Sequence, residues 1–295
     1  ENTLLANEEV KKVEVQIVVK KPPVEQSING QVEEDSALAG VKKIVAVASG
    51  KGGVGKSTLA VNLACAMERI ISSELSRPAK IGLMDCDVYG PSVPLLIGAS
   101  GQPESLGDDR IAPIESYGVK VMSMALLVDE DAPVVWRGPM VMKTIQQFAA
   151  NVEWGELDLL LIDLPPGTGD AQLSIAQTMP LDGVVVVTTP QKAAVDVARR
   201  GARMFEKVNV PILGVVENMS FLLNEETGEK SHLFGKGGGP VTAHALTTSF
   251  LGEIPIHEEI RMGGDHGLPI VVSNPEHFAS QAIIAVAQEV YSILD

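Results

Sequence analysis

Ile44-Val45-Ala46-Val47-Ala48-Ser49-Gly50-Lys51-Gly52-Gly53-Val54-Gly55-Lys56-Ser57 is the stretch that decides how the rest of the chain is read. It opens as an apolar run of strand length, Ile44–Ala48, and passes into a glycine-rich turn. The turn fits G-x-x-x-x-G-K-[ST], a loop whose backbone N–H groups cradle phosphates. Ser57–Met67 reads as the helix that follows, so the loop lies between a strand and a helix N-terminus. Backbone amides and aligned peptide dipoles favour an anion there. Lys56 is expected to meet the β- and γ-phosphates and the Ser57 hydroxyl to ligate Mg²⁺. Gly50, Gly52, Gly53, Val54, Gly55 and Thr58 complete the expected cradle. Lys51, directly after the first glycine, is a second lysine that an ordinary phosphate loop does not need.

Outward from this loop, further apolar runs of strand length occur at Lys80–Met84, Val119–Met122, Leu157–Ile162, Gly183–Val187 and Ile212–Val216. Continuous Val, Ile and Leu runs indicate strands buried on both faces, as in a parallel sheet. Their alternation with helical segments predicts a doubly wound α/β fold, a mostly parallel sheet with helices on both faces. Residues 41–295 are expected to form this phosphate-loop domain. Residues 1–40 read as an arm or the remnant of a small N-terminal domain. Within it Val13–Val19 is a short strand, followed by Lys20-Lys21-Pro22-Pro23 and a polar, acidic stretch to Asp35. Pro275–Leu294 reads as a helix with an apolar stripe that packs on the core. It carries no lysine or arginine, unlike a helix that lies on a membrane surface.

Two carboxylate segments complete a candidate magnesium site. Leu157–Ile162 ends in Asp163, and a carboxylate at a strand tip suits a magnesium ion, usually through water. Pro165-Pro166-Gly167-Thr168-Gly169-Asp170 follows, where Gly167 lets a backbone N–H approach a γ-phosphate. Such a loop can order with a triphosphate and relax after hydrolysis. Asp85-Cys86-Asp87 follows Met84, and residues two apart on an extended segment point to opposite sides. Asp85 is expected nearer the metal and Asp87 to orient or deprotonate the attacking water. Ser57, Asp85 and Asp163 are thus the expected magnesium ligands, and Lys56 and Asp87 expected catalytic residues.

Composition narrows the partners. The chain has 295 residues and a formal charge of −15, against the basic surface that non-specific nucleic-acid binding requires. No apolar run approaches the length of a membrane span. The two cysteines, Cys65 and Cys86, offer no disulfide framework and suit a reducing compartment. The expected location is the cytoplasm, or an organelle matrix or stroma, and not the secretory route. His232, His244, His257, His266 and His277 are scattered in polar contexts and read as solvated surface.

The motifs together resemble a known family. Lys51–Thr58 resembles the deviant phosphate loop of the MinD/ParA-like ATPases. Asp87-Val88-Tyr89-Gly90-Pro91-Ser92, Trp136-Arg137-Gly138-Pro139-Met140, Asp163–Asp170, Thr188-Thr189-Pro190-Gln191 and Glu217-Asn218-Met219-Ser220 resemble the Mrp/ApbC branch of iron–sulfur carrier proteins. The likeness runs from about Val41 to the C-terminus. It implies a homodimer that sandwiches two nucleotides, with Lys51 reaching the partner's ATP and Asn218 contacting adenine. It implies ATP and Mg²⁺ as cofactors, slow magnesium-dependent hydrolysis, and apo iron–sulfur proteins or assembly factors as partners. A charge supplied across an interface can stabilise phosphoryl transfer as an arginine finger does.

One departure bears on the cargo. The family carries Cys-x-x-Cys shortly after Asn-Met-Ser, able to supply thiolates to an iron–sulfur cluster. Here Asn224 and Thr227 stand in those positions, and Leu-Asn-Glu-Glu-Thr-Gly reads as an exposed turn with Gly228 accepting φ > 0. No iron–sulfur ligand is identified in the sequence. An ATPase of cluster assembly or transfer, a MinD/ParA-like positioning ATPase, and an ATP-dependent assembly chaperone that binds no cluster itself all remain open at this point. A positioning ATPase needs a basic amphipathic tail or a basic surface, and the chain has neither.

Overall fold

A computed structural model describes residues 38–128, 138–167 and 169–294. Most of the expected arm, including Val13–Val19, lies outside these residues, as do Trp136, Arg137 and Thr168. Among the described residues the centre of the molecule is an eight-stranded sheet. It is built from β1 (Ile44–Ser49), β2 (Ile81–Asp85), β5 (Ile114–Ser116), β6 (Val119–Met122), β7 (Leu159–Asp163), β8 (Gly183–Thr188), β9 (Ile212–Glu217) and β12 (Ser249–Glu253). The order across the sheet is β12-β9-β8-β1-β7-β2-β6-β5. Every pairing is parallel except β5 with β6. Two small hairpins stand outside it: β3 (Ser105–Gly107) with β4 (Arg110–Ile111), and β10 (Leu222–Leu223) with β11 (Lys230–Ser231).

The sheet is covered on both faces because its strands are apolar on both. In β1, Val45 and Val47 join one core with α1 (Lys56–Leu75), α8 (Ile270–Ser273) and α9 (Phe278–Leu294). Ile44, Ala46 and Ala48 of the same strand join the opposite core, with α3 (Gly138–Asn151) and α4 (Asp170–Thr178). The remaining helices are α2 (Val93–Ile97), α5 (Lys192–Glu206), α6 (Gly238–Ala245) and α7 (Glu258–His266). Ala198 and Ala202 of α5 pack on Val186 and Val215, with Ala243 and Leu246 closing that end.

The doubly wound α/β fold expected from the apolar runs is the fold observed. Differences lie at element ends and edges. The helix after the loop is longer than Ser57–Met67, because its apolar positions continue through Ile71 until Ser76 takes a left-handed φ of 53°. The C-terminal helix starts at Phe278, with His277 and not Pro275 leading into it. β5 and β12 are not foreseen by continuous apolar runs. β5 is a three-residue antiparallel edge. β12 has a register shift between Phe250 and Gly252.

Because the strands around β1 run parallel, their carboxyl ends share one edge. Val47 of β1 lies in register with Asp163 of β7, and Asp163 with Asp85 of β2. Ligands of open α/β sheets bind at this edge.

Candidate nucleotide and magnesium site

The loop after β1 has the backbone that its glycines permit. Gly53 and Gly55 take φ of 77° and 80°, in the region where a Cβ is costly. A Cβ on Gly52 or Gly53 would meet nothing within 4 Å, so this side of the loop is open. Gly55 begins α1 without a side-chain cap, leaving first-turn amides available to an anion. Gly50 is required for a different reason. A Cβ there would lie 2.6 Å from the backbone of Val197 and Ala198 in α5.

Lys56, Ser57 and Asp163 form a compact group. Lys56 Nζ donates to Asp163 Oδ1 at 2.5 Å, and the Ser57 hydroxyl donates to Asp163 Oδ2 at 2.6 Å. Lys56 Nζ also lies 3.2 Å from Ser57 Oγ. The Lys56 side chain is 6% exposed and Asp163 is fully buried. Burial pushes the Asp163 carboxyl above its ordinary value, while Lys56 and Ser57 pull it back towards the ionised form. A hydroxyl and a carboxylate side by side are hard oxygen donors of the kind Mg²⁺ prefers. This donor set fits the expected ion, with Ser57 and Asp163 as the residues that would hold it.

Asp85 lies in register beside Asp163, and its carboxylate is engaged by backbone and side chain around it. Its Oδ1 accepts from the Asp87 backbone amide at 3.0 Å, and its Oδ2 from Ser123 Oγ at 3.0 Å and Val93 N at 3.3 Å. The carboxylate therefore braces both ends of the 87–93 loop. Burial, then the nearby Asp163, push it up to about 7. Asp87 is half-buried. Burial raises its carboxyl too, against the pull of Lys56.

The remaining expected residues gather at the same edge. Asn218, just after β9, donates from Nδ2 to Val54 O at 2.8 Å and lies over Gly55. Gly167 takes φ of 110°, and its amide donates to Ser49 O at 3.0 Å. Lys51 Nζ donates to Gln191 Oε1 at 3.1 Å, and the Lys51 carbonyl accepts from Ser49 Oγ at 3.0 Å. Thr58 is partly buried in the first turn of α1, where its carbonyl accepts from Asn62 Nδ2 at 2.9 Å.

Sequence reasoning did not single out Gln172 or Ser123, and named Gln191 only within a motif, without its contact to Lys51. Gln172 is buried and donates from Nε2 to both Ser49 O and Pro165 O, at 3.2 and 2.6 Å, joining the phosphate loop to the Pro165–Gly167 loop. Ser123 had a signal, as a polar residue directly after an apolar strand on the ligand-binding edge.

Both cysteines are free and buried. Burial, helped by Glu68, pushes the Cys65 thiol up to about 12. Burial, followed by Asp85, pushes Cys86 well above the ordinary thiol range. Metals take the thiolate, so neither suits an exposed cluster. Asn224 builds the expected turn, its Oδ1 accepting from the amides of Glu226 and Thr227 at 3.0 and 3.1 Å. Gly228 takes φ of 71°.

A phosphate loop at the carboxyl edge of a parallel sheet, with Asp163 beside its lysine and serine, accords with comparison to known proteins. Residues 40–291 match the ParA family, described as NUBPL iron-transfer P-loop NTPases. The chain belongs to that family. The Arabidopsis thaliana iron–sulfur protein required for NADH dehydrogenase, mitochondrial, is 53% identical over 86% of this chain and 79% of its own length. The mouse iron–sulfur cluster transfer protein NUBPL is 45% identical over 90% of this chain and 82% of its own length. The Pseudomonas fragi iron–sulfur cluster carrier protein is 46% identical over 90% of this chain and 88% of its own length. Among solved structures, an Archaeoglobus fulgidus nucleotide-binding protein in complex with ADP has a TM-score of 0.69 and 36% identity, covering 82% of this chain and 91% of that one. Pyrococcus horikoshii MinD with Mg-ADP has a TM-score of 0.60 and 23% identity, covering 84% and 95%, and shares the fold. Among the described residues of this family member, no helix is long and apolar enough to cross a membrane.

Proposed function

We propose that this family member is a magnesium-dependent ATPase that works as a homodimer in iron–sulfur cluster assembly or transfer. The observation that carries the reading is the contact of Ser57 Oγ and Lys56 Nζ with Asp163 at the carboxyl edge of the sheet. Mg²⁺ held by Ser57 and Asp163 would neutralise charge on the β- and γ-phosphates. Lys56 binds those phosphates, and the α1 amides add fixed positive dipoles. Asp87 orients the attacking water or takes its proton. Asp85 fixes the loop that carries Asp87. Asn218 contacts adenine. Gly167 turns its amide from Ser49 O to the γ-phosphate. Lys51 leaves Gln191 and reaches the partner subunit's ATP.

The names of relatives at 45–53% identity support cluster transfer as the setting. The absence of a Cys-x-x-Cys and the raised thiol pKa values favour a second form of this reading. In it the chain drives assembly by its ATP cycle, and the cluster is held by a recipient or assembly factor. An organelle matrix is the proposed location, in keeping with the mitochondrial name of the plant relative.

Phosphate release with Mg²⁺ and with EDTA, together with sedimentation with and without ATP, tests the ATPase and the dimer. Hydrolysis that persists without Mg²⁺, or a monomer at saturating ATP, would overturn this reading. Anaerobic loading with iron and sulfide, followed by activation of an apo iron–sulfur protein, separates carrier from chaperone. ATP-dependent pelleting with liposomes or DNA would instead favour a positioning ATPase.

A further inference from the structure

Glu225, His257 and His277 come from separate segments and meet on the surface beside the β10–β11 hairpin. One donor atom from each lies within 4.8 Å of the other two. Glu225 Oε1 is 3.0 Å from His257 Nε2, and the two imidazole rings have centroids 4.4 Å apart. The local fold holds each ligand in place. Asn224 shapes the turn that presents Glu225. That hairpin is tied to the approach to His257 by Ile256 N donating to Phe221 O at 2.7 Å. His257 and His277 lead into α7 and α9, and their Nδ1 atoms accept from the amides of Glu259 and Ala279 at 3.2 Å each. Phe278 packs on both rings, at centroid distances of 5.2 and 4.4 Å.

We propose that Glu225, His257 and His277 bind one first-row divalent transition-metal ion of the Zn²⁺ or Fe²⁺ class. Two imidazole nitrogens and a carboxylate, with positions left to water, suit these ions. Mg²⁺ and Ca²⁺ prefer all-oxygen sites. Glu225 is exposed, so the ion enters from solvent, while His257 is largely shielded, with 14% of its side chain accessible. Two protonated imidazoles this close would repel each other, whereas a single divalent ion satisfies both rings and the carboxylate at once.

Binding carries a definite proton cost. With Nδ1 of His257 accepting a backbone N–H, the neutral ring keeps its proton on Nε2, aimed at Glu225. Coordination through Nε2 moves that proton to Nδ1 and gives up the bond to Glu259. Metal binding therefore competes with this backbone bond. The site uses none of the phosphate-loop residues, so it stands or falls independently of ATP hydrolysis.

Co²⁺ is the probe, titrated into the full chain with millimolar Mg²⁺ present to occupy the oxygen site. Visible d–d absorption and calorimetry read the binding. The expected result is one Co²⁺ per chain, displaced by Zn²⁺. Glu225→Gln, His257→Asn and His277→Asn should each weaken it at least tenfold. Asparagine retains a capping oxygen before each helix, so the His→Asn variants separate loss of the ligand from loss of the fold, checked by unchanged thermal unfolding. No Co²⁺ binding up to millimolar concentration, or binding unchanged in all three variants, would overturn the proposal.

Discussion

Lys56 Nζ and Asp163 Oδ1 lie 2.5 Å apart with both side chains almost fully buried, so the phosphate loop carries a positive charge already paired to the tip of the neighbouring strand. Removing one partner of a buried pair leaves the other uncompensated, at roughly 3–5 kcal/mol. Asp163→Asn should therefore lower the stability of the protein without nucleotide by about that amount and weaken magnesium–nucleotide binding. The double variant Lys56→Met with Asp163→Asn should be more stable than the single one, because no orphan charge remains. Urea denaturation reads both. A single variant within about 1 kcal/mol of wild type would mean the pair is not buried as described.

Gly55 and Asn218 depend on each other sterically. A Cβ at residue 55 would fall 2.2 Å from Asn218 Nδ2, and Gly55 already has φ of +80°. Gly55→Ala should displace the amide and strain the loop, costing roughly 1–2 kcal/mol from backbone handedness alone. Nucleotide affinity should fall at least tenfold, the equivalent of about 1.4 kcal/mol. In an Asn218→Ala background the same substitution should cost less, since the clash is gone and neighbouring effects are non-additive. Calorimetric titration with ADP on the four proteins checks this, and strict additivity would count against the contact.

Asp158 ties three segments together away from the nucleotide edge. It accepts from Arg77 at 2.7 and 2.9 Å, from Lys42 at 2.9 Å and from the Lys80 amide at 3.0 Å. The Arg77 guanidinium first, then Lys42 and the Lys80 amide, hold its carboxyl well below the usual range. A lowered acid pKa means the folded state binds fewer protons than the unfolded chain. The stabilisation is present above about pH 4 and is lost as pH falls through the lowered native value. Arg77 and Lys42 are 41% and 65% exposed, so solvent screens both. Arg77→Ala should then lower stability modestly at pH 7. The gap to wild type should narrow as pH falls below about 4, in denaturation curves measured at several pH values. A gap that widens in acid would reverse the sign of the argument.

The parts of this architecture that could be read from the chain are those fixed by local pattern. Val, Ile and Leu runs marked the core strands because burial on both faces leaves no room for alternation. The phosphate loop was legible because its chemistry sits on contiguous residues between a strand and a helix. Asp163 and Asp85 were legible as carboxylates at strand tips, yet their different surroundings were not. The Ser123 and Val93 contacts that occupy Asp85 depend on how β6 and the 87–93 loop approach β2. Gln191 beside Lys51 and Gln172 beneath the loop are likewise products of strand order. His257 and His277 look like isolated surface residues in the sequence. They become neighbours only because α7, α8 and the turn before α9 fold the chain back, and because both residues cap helices.

Lys51 has a resting partner in the same chain, Gln191 Oε1 at 3.1 Å. Its proposed task lies in the partner subunit, so the two positions compete. Lys51→Ala should abolish turnover while sparing much of the nucleotide binding, because Lys56 and the loop amides remain. Gln191→Ala should act in the opposite sense. It frees Lys51 from a partly buried hydrogen bond of about 1 kcal/mol, which should favour the ATP-bound dimer by roughly fivefold for each of the two lysines released. Single-turnover hydrolysis at increasing protein concentration separates the cases. Wild type should show a rate that rises with concentration, Gln191→Ala should reach the same plateau at lower concentration, and Lys51→Ala should stay flat. A Lys51→Ala variant that turns over ATP normally would remove the cross-subunit role.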